Sequence, residues 1–198
     1  MLTITNEDNM ALMARYPDKH FDLAIVDPPY NIVAQQKRGV GSRIDKSGKM
    51  NSWNNIKPTA YYFDELFIWG ANNFTLPESE YFIVWDKAQT VDNFASAEYA
   101  WTNVKMPAKI FHYSIHQHNS DKGDKIHPTM KPIKLYKWLL DKYAKQGSQI
   151  LDTHLGSGSI AIACHDYGFD LTACELDKDY FEAAMQRINN HVAQTKLF

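Results

Sequence analysis

The stretch from Gln149 to Glu175 constrains the fold of this chain more than any other part. Gln149-Ile150-Leu151-Asp152 is a short apolar run that ends in a carboxylate. Thr153-His154-Leu155-Gly156-Ser157-Gly158-Ser159 then supplies the glycines of a tight loop opening a helix, where the backbone can approach a ligand closely. The helix, Ser159 to Tyr167, stops at Gly168, and a second strand, Asp170 to Cys174, leads into Glu175. Strand, glycine loop, helix and strand form one nucleotide-binding βαβ half, with an acidic residue at about the spacing where a carboxylate meets a ribose.

The loop leaves the nucleotide open. Gly156-x-Gly158-x-x-Ala161 satisfies the relaxed dinucleotide fingerprint and would suit NAD or FAD. Asp152 argues the other way, because a carboxylate just before the loop repels a pyrophosphate but accepts from a cationic amino group such as that of S-adenosylmethionine. No G-x-x-x-x-G-K-[ST] sequence occurs, so a P-loop nucleotidase is not supported.

A second constellation lies upstream. Asp27-Pro28-Pro29-Tyr30 closes the apolar run Phe21 to Val26, so a carboxylate, a rigid turn and an aromatic ring stand at the C-terminal end of a strand, where open α/β sheets carry out chemistry. This arrangement suits alkylation of an exocyclic amino group. The lone pair of such a nitrogen is delocalised into its ring, and acceptors that hold the N–H groups localise it. Asp27 supplies one acceptor and the Pro28 carbonyl another, while two prolines fix the backbone and remove two donors. Tyr30 offers a face on which a flipped-out base can stack.

With both motifs in view, the chain resembles the permuted, or beta-group, DNA amino-methyltransferases, in which the catalytic motif precedes the cofactor motif. The likeness extends along nearly the whole chain. Trp69-Gly70-Ala71-Asn72-Asn73 and Trp85-Asp86-Lys87 match later strand ends, and His127-Pro128-Thr129-Met130-Lys131-Pro132 the element before the first cofactor-side helix. Glu7-Asp8-Asn9-Met10 resembles the strand end that contacts the cofactor adenine. The resemblance implies a doubly wound, mostly parallel sheet of seven strands with one antiparallel hairpin strand, in the Rossmann-like S-adenosylmethionine-dependent fold. It implies Asp27, Pro28, Pro29 and Tyr30 as catalytic residues. For the cofactor it implies Asp152 with Gly156, Ser157, Gly158 and Ser159 at the methionine part, and Glu175, followed by Leu176 and Asp177, at the ribose. It further implies Asp8 and Asn9 at the adenine, and Thr129 with Lys131 near the carboxylate. Asp rather than Ser at position 27 resembles the adenine-N6 members more than the cytosine-N4 members. Cytosine-N4 or RNA amino-methylation, a dinucleotide-dependent oxidoreductase and a non-catalytic DNA-binding module are the alternatives. One departure stands out: family members usually carry a sizeable target-recognition domain, and 198 residues leave little room for one.

Composition fits a single domain over residues 1–198, and the resemblance implies a catalytic half at 1–126, a cofactor half at 127–193 and a tail at 194–198. A hydrophobic content of 44% can fill one substantial core, and no low-complexity block divides it. No signal peptide or membrane-spanning apolar run appears, so a soluble, cytoplasmic protein is expected. The two cysteines, Cys164 and Cys174, read as small core residues. A net charge of −2 argues against diffuse affinity for polyanions, yet charge is uneven. Lys37, Arg38, Arg43, Lys46 and Lys49, with Trp53 beside them, form a glycine-interrupted basic segment at 35–57, expected to be a mobile loop that closes on double-stranded DNA. His112, His116 and His118 cluster without matching carboxylate or cysteine spacing, and on a strand they would share one face. At the end, Gln194, Leu197 and Phe198 form a Gln-x-x-Leu-Phe tail resembling peptides that dock on bacterial sliding clamps.

Periodicity predicts strands at Leu2 to Thr5, Phe21 to Val26, Phe67 to Trp69, Tyr81 to Trp85, Lys109 to Tyr113, Gln149 to Asp152 and Asp170 to Cys174. It predicts helices at Met10 to Tyr16, Thr59 to Leu66, Phe94 to Trp101, Pro132 to Lys145, Ser159 to Tyr167 and Lys178 to His191.

Overall fold

A computed structural model describes residues 1–29, 64–121, 123 and 125–194. Their strands form one sheet of eight: β1 (Leu2–Asn6), β2 (Leu23–Val26), β3 (Glu65–Trp69), β4 (Phe82–Asp86), β5 (Ala97–Thr102), β6 (Lys109–His112), β7 (Gln149–Asp152) and β8 (Asp170–Glu175). The helices are α1 (Asn9–Met13), α2 (Ile115–Asp121), α3 (Ile133–Tyr143), α4 (Ser159–Tyr167) and α5 (Lys178–Val192), with a 3₁₀ turn at Ala71–Asn73.

The spatial order is β1-β8-β7-β2-β3-β5-β4-β6, and every neighbouring pair is parallel except the two made by β5. Alternation of side chains divides the core between the two sheet faces. Leu23, Ile25, Phe67, Trp69 and Ile150 pack with α3, α4 and α5 through Leu139, Leu140, Ile160 and Ile188. Ala24, Val26, Leu66, Ile68 and Leu151 pack with Leu12 of α1 on the other face. Such central strands, covered on both sides, read as unbroken apolar runs rather than alternating ones.

Local chemistry sets the helix ends. Asp8 caps α1 by accepting from the Met10 and Ala11 amides, and Asp177 caps α5 by accepting from those of Asp179 and Tyr180. Helix α4 lies between Gly158 and Gly168, with φ of 73° and 75°.

Three expectations need correction. The segment Phe94 to Trp101, predicted as a helix from periodicity, contains strand β5 from Ala97 onward. Its backbone pairs with β3 on one side and β4 on the other, and that double pairing overrides an intrinsic helix preference. This is the added eighth strand; the seven predicted from periodicity are all present. At Thr59 to Leu66, Glu65 and Leu66 open β3 instead of ending a helix, while residues 59–63 lie outside the described part. The three histidines do not share a strand face, since His112 ends β6 and His116 and His118 lie on α2. No described helix is long and apolar enough to cross a membrane.

Candidate active site

Chain direction places the chemistry. Strands β7 and β2 are parallel neighbours, with Leu23 opposite Ile150 and Ala24 opposite Leu151, and successive strands lead away from this pair on both sides. That is the switch point of a doubly wound sheet, where a crevice opens beyond the carboxyl ends. Asp27 follows β2 and Asp152 ends β7, so the two carboxylates predicted from separate motifs stand at adjacent strand ends.

On the β7 side, Asp152 is 2% exposed and accepts from the His154 amide at 2.9 Å. Burial pushes its carboxyl up to about 8, against the pull of that amide. The loop then turns through Gly156 and Gly158, both at positive φ, with the Gly158 amide donating to Leu155 at 3.0 Å. Glu175 grips it from β8: one carboxylate oxygen accepts from the Gly156 amide at 2.9 Å and the other from the Asp177 amide at 3.0 Å. Burial raises the Glu175 carboxyl above its ordinary value. Ser157 and Ser159 are buried, their hydroxyls 3.1 Å apart. Arg187 of α5 donates to the Ser157 carbonyl at 2.7 Å and the Ser159 hydroxyl at 3.0 Å, fixing the loop from behind.

Neighbouring segments complete this side. Pairing of Asn6 with Glu175 brings Asp8 and Asn9 to the same edge, where Asp8 is occupied as a helix cap. Leu176 is exposed and Asp177 caps α5. The His127 ring lies against Gly156 and meets the Tyr180 ring edge-on at 4.6 Å, and Thr129 bonds His127 at 3.3 Å. His154 Nδ1 pairs with the Thr153 hydroxyl at 2.8 Å, and its Nε2 is buried with no hydrogen-bond partner among the described residues. Burial holds the His154 imidazole at about 4, so the ring is neutral.

On the β2 side the structure brings together a group that the sequence did not announce. Lys131, expected near the cofactor carboxylate, donates to Asp27 Oδ2 and lies 3.2 Å from Glu98 Oε2. Glu98 in turn accepts from Lys87 at 2.5 Å. The four charges alternate in sign, and side-chain exposures of 15% for Asp27, 2% for Lys131, 22% for Glu98 and 10% for Lys87 remove most of their hydration. Burial would drive Lys131 toward neutrality, but Asp27 and Glu98 hold it above its ordinary value. Burial would raise Glu98, but Lys131 and Lys87 keep it at about 2. Burial raises Asp27 against the attraction of Lys131, and the Glu98 charge adds to the rise.

Sequence reasoning missed Glu98, Lys87 and Arg187 as site residues. Glu98 was hidden by the helix assigned to its segment, and Arg187 by its place among the polar positions of α5. Only Lys87 carried a signal, in Trp85-Asp86-Lys87. Tyr30, Lys37, Arg38, Arg43, Lys46, Lys49, Trp53, Leu197 and Phe198 lie outside the described residues; Pro28 and Pro29 follow Asp27, and Gln194 is exposed. Among the described residues no group of three or more His, Cys, Asp or Glu could hold a metal ion, and Cys164 and Cys174 are free and buried.

A sequence profile of the family described as DNA methylase matches residues 84–186, more than half of the chain. The type II methyltransferase M.HpaI of Haemophilus parainfluenzae is 30% identical over 84 residues, which make up 42% of this chain and 26% of that protein. The chain's match thus spans about a quarter of this relative's length. Among solved structures, the M1.HpyAVI–SAM complex superposes with a TM-score of 0.61 at 19% identity, covering 94% of this chain and 100% of that one. A putative DNA modification methylase from Thermus thermophilus, complexed with S-adenosyl-L-methionine, gives 0.59 at 16%, covering 98% and 96%. The cytosine-N4-specific PvuII DNA methyltransferase gives 0.61 at 11%, covering 100% and 90%. At these identities the structural likeness is one of fold, a mixed α/β sheet of the methyltransferase type.

Proposed function

The chain belongs to the DNA methylase family, and from that premise we propose that it transfers a methyl group from S-adenosylmethionine to the N6 amino group of adenine in double-stranded DNA. The observation that carries the reading is the pair of carboxylates at the ends of adjacent parallel strands, Asp27 oriented by Lys131 and Asp152 beneath the glycine loop.

The donor set fits the cofactor chemically. Asp152 suits a cationic amino group, the carboxylate of Glu175 suits ribose hydroxyls, and His154 Nε2 in the loop, unpartnered among the described residues, is a polar atom open to a ligand. Asp8 and Asn9 would border the adenine, Gly156 to Ser159 and Thr129 the methionine part, with Leu176 and Asp177 following the ribose contact. When bound, the cofactor supplies an activated methyl on a sulfonium. Asp27 and the Pro28 carbonyl accept from the target amino group and localise its lone pair, with Pro29 holding the turn and Tyr30 stacking on the flipped base. Alignment and exclusion of water carry most of the catalysis, because a methyl on a positively charged sulfur is already activated, its departure leaving a neutral thioether. Lys37, Arg38, Arg43, Lys46, Lys49 and Trp53 serve DNA contact. In this reading residues 1–198 work as one methyltransferase unit. Nothing in the comparisons supports the sliding-clamp expectation for the tail, and the proposal does without it.

Adenine is preferred over cytosine on Asp27, while the fold shared with the cytosine-N4-specific PvuII enzyme keeps N4-methylation as the second reading. Incubation with labelled S-adenosylmethionine and unmethylated DNA, followed by nucleoside analysis, tests both. N6-methyladenine is expected; N4-methylcytosine would replace the first reading, and no labelled nucleoside would overturn both.

A further inference from the structure

We propose that Glu98 is a positioning residue for Asp27, keeping it a strong acceptor by sharing the single ammonium of Lys131. This assignment rests on the catalytic role proposed for Asp27.

The argument begins with a conflict at the Asp27 carboxylate. A buried carboxylate needs a cation nearby, or it takes up a proton and ceases to be a pure acceptor. A cation bonded to it alone, in a site stripped of water, instead draws off the electron density that should polarise the substrate's N–H. Lys131 is not bonded to Asp27 alone. Its ammonium donates to Asp27 Oδ2 and also lies 3.2 Å from Glu98 Oε2, so its charge is divided between two carboxylates. Among the described residues, only Oδ2 of Asp27 is so engaged. Glu98 keeps its own ionised state through Lys87, which donates to its second oxygen at 2.5 Å.

Each member comes from a different element, which makes the arrangement specific to the fold. Asp27 follows β2, Lys87 follows β4, Glu98 is on β5 and Lys131 precedes α3. Glu98 stands opposite Trp85 in the β4–β5 ladder, and the Lys87 ammonium lies 4.9 Å from the Trp85 ring centroid. The Lys131 ammonium lies 5.5 Å from that of Trp69. Among the described residues, the other titratable groups facing this cluster are Tyr136 of α3, which burial keeps in its neutral phenol form, and Asp152 of β7.

The test changes Glu98 and reads Asp27. Replacing Glu98 by Gln keeps the shape and removes the charge, leaving Lys131 to Asp27. Carboxyl carbon NMR of the ligand-free protein, with Asp27→Asn assigning the resonance, is expected to show the Asp27 titration midpoint at lower pH in Glu98→Gln than in wild type. Glu98→Gln leaves Lys87 unpaired and can fold poorly. The double variant Glu98→Gln, Lys87→Met restores neutrality, and its midpoint is also expected below wild type, because Glu98 acts on Asp27 more strongly than Lys87 does. The acid limb of the single-turnover methylation rate should move with the midpoint, and the rate at neutral pH should fall at least tenfold while cofactor affinity stays within about twofold. An unmoved or raised midpoint in a folded variant overturns the inference. If wild-type protein methylates no DNA, the proposed function fails, and the NMR midpoint still decides whether Glu98 tunes Asp27.

Discussion

At Asp152 a carboxyl group has been carried into the interior with one amide to hold it, and its charge is correspondingly costly. Because burial lifts its pKa from 3.8 to about 8, the folded chain keeps a proton that the unfolded chain has released across that window. This group's contribution to stability therefore declines as pH rises from about 4 to about 8. A cation seated against Asp152 reverses the preference and expels the proton. Binding of S-adenosylmethionine is accordingly expected to release protons near neutral pH, with affinity rising as pH rises toward about 8. Calorimetry in buffers of different ionisation enthalpy reads both effects, and Asp152→Asn should abolish them; a pH-independent affinity would remove Asp152 from the site. Asp27 gives the companion prediction. Asp27→Ala, which removes the acceptor outright, should retain cofactor binding while slowing methyl transfer by about a hundredfold or more, the usual cost of one oriented electrostatic group. Rapid-quench assay with labelled cofactor measures it, and wild-type turnover would end the acceptor role.

At the scale of elements, the glycine loop is held in shape from two sides, by Glu175 of β8 and by α5, through Arg187 and the close approach of the helix itself. A Cβ on Gly158 would lie 2.9 Å from Ile188 Cδ1, and the residue has φ of 73°. Gly158→Ala should cost about 1–2 kcal/mol from the left-handed backbone, before any overlap with Ile188 is counted. Chemical denaturation tests this, and adding Ile188→Val should recover part of the loss, since it removes the nearest atom. This loop was legible in the sequence because glycine, serine and a terminal carboxylate have local reasons to be there. Glu98 was not legible, because its role depends on β5 having two strand partners far away in sequence. Ala97, Ala100 and the intervening aromatic Tyr99 satisfy a helix as readily as a strand when read locally. Lys131 illustrates an intermediate case: its motif was recognised, but its partner Asp27 lies 104 residues earlier, and only the folded sheet brings them together.

For the whole molecule, net charge is −2, so any affinity for a polyanion has to come from a local concentration of basic residues. If the 35–57 segment meets the phosphate backbone, neutralising Lys37, Arg38 and Arg43 should reduce the slope of log affinity against log salt by about one per lost contact. Fluorescence anisotropy over a salt series reads the slope, and an unchanged value would leave that segment without a role in DNA contact. The sheet topology has a further consequence, for the order of events during synthesis. Strand β1 is made before the rest of the sheet, yet its partner β8 begins at Asp170, and β2 waits for β7 at Gln149 to gain its second neighbour. Pairings so distant in sequence form slowly, since a long loop must close before any contact rewards it. A nascent chain therefore emerges from the ribosome with these two strands unpartnered on at least one edge. The crevice that unites Asp27, Lys131 and Asp152 cannot exist until translation has passed β7, so the chemistry proposed for it is withheld from every shorter intermediate.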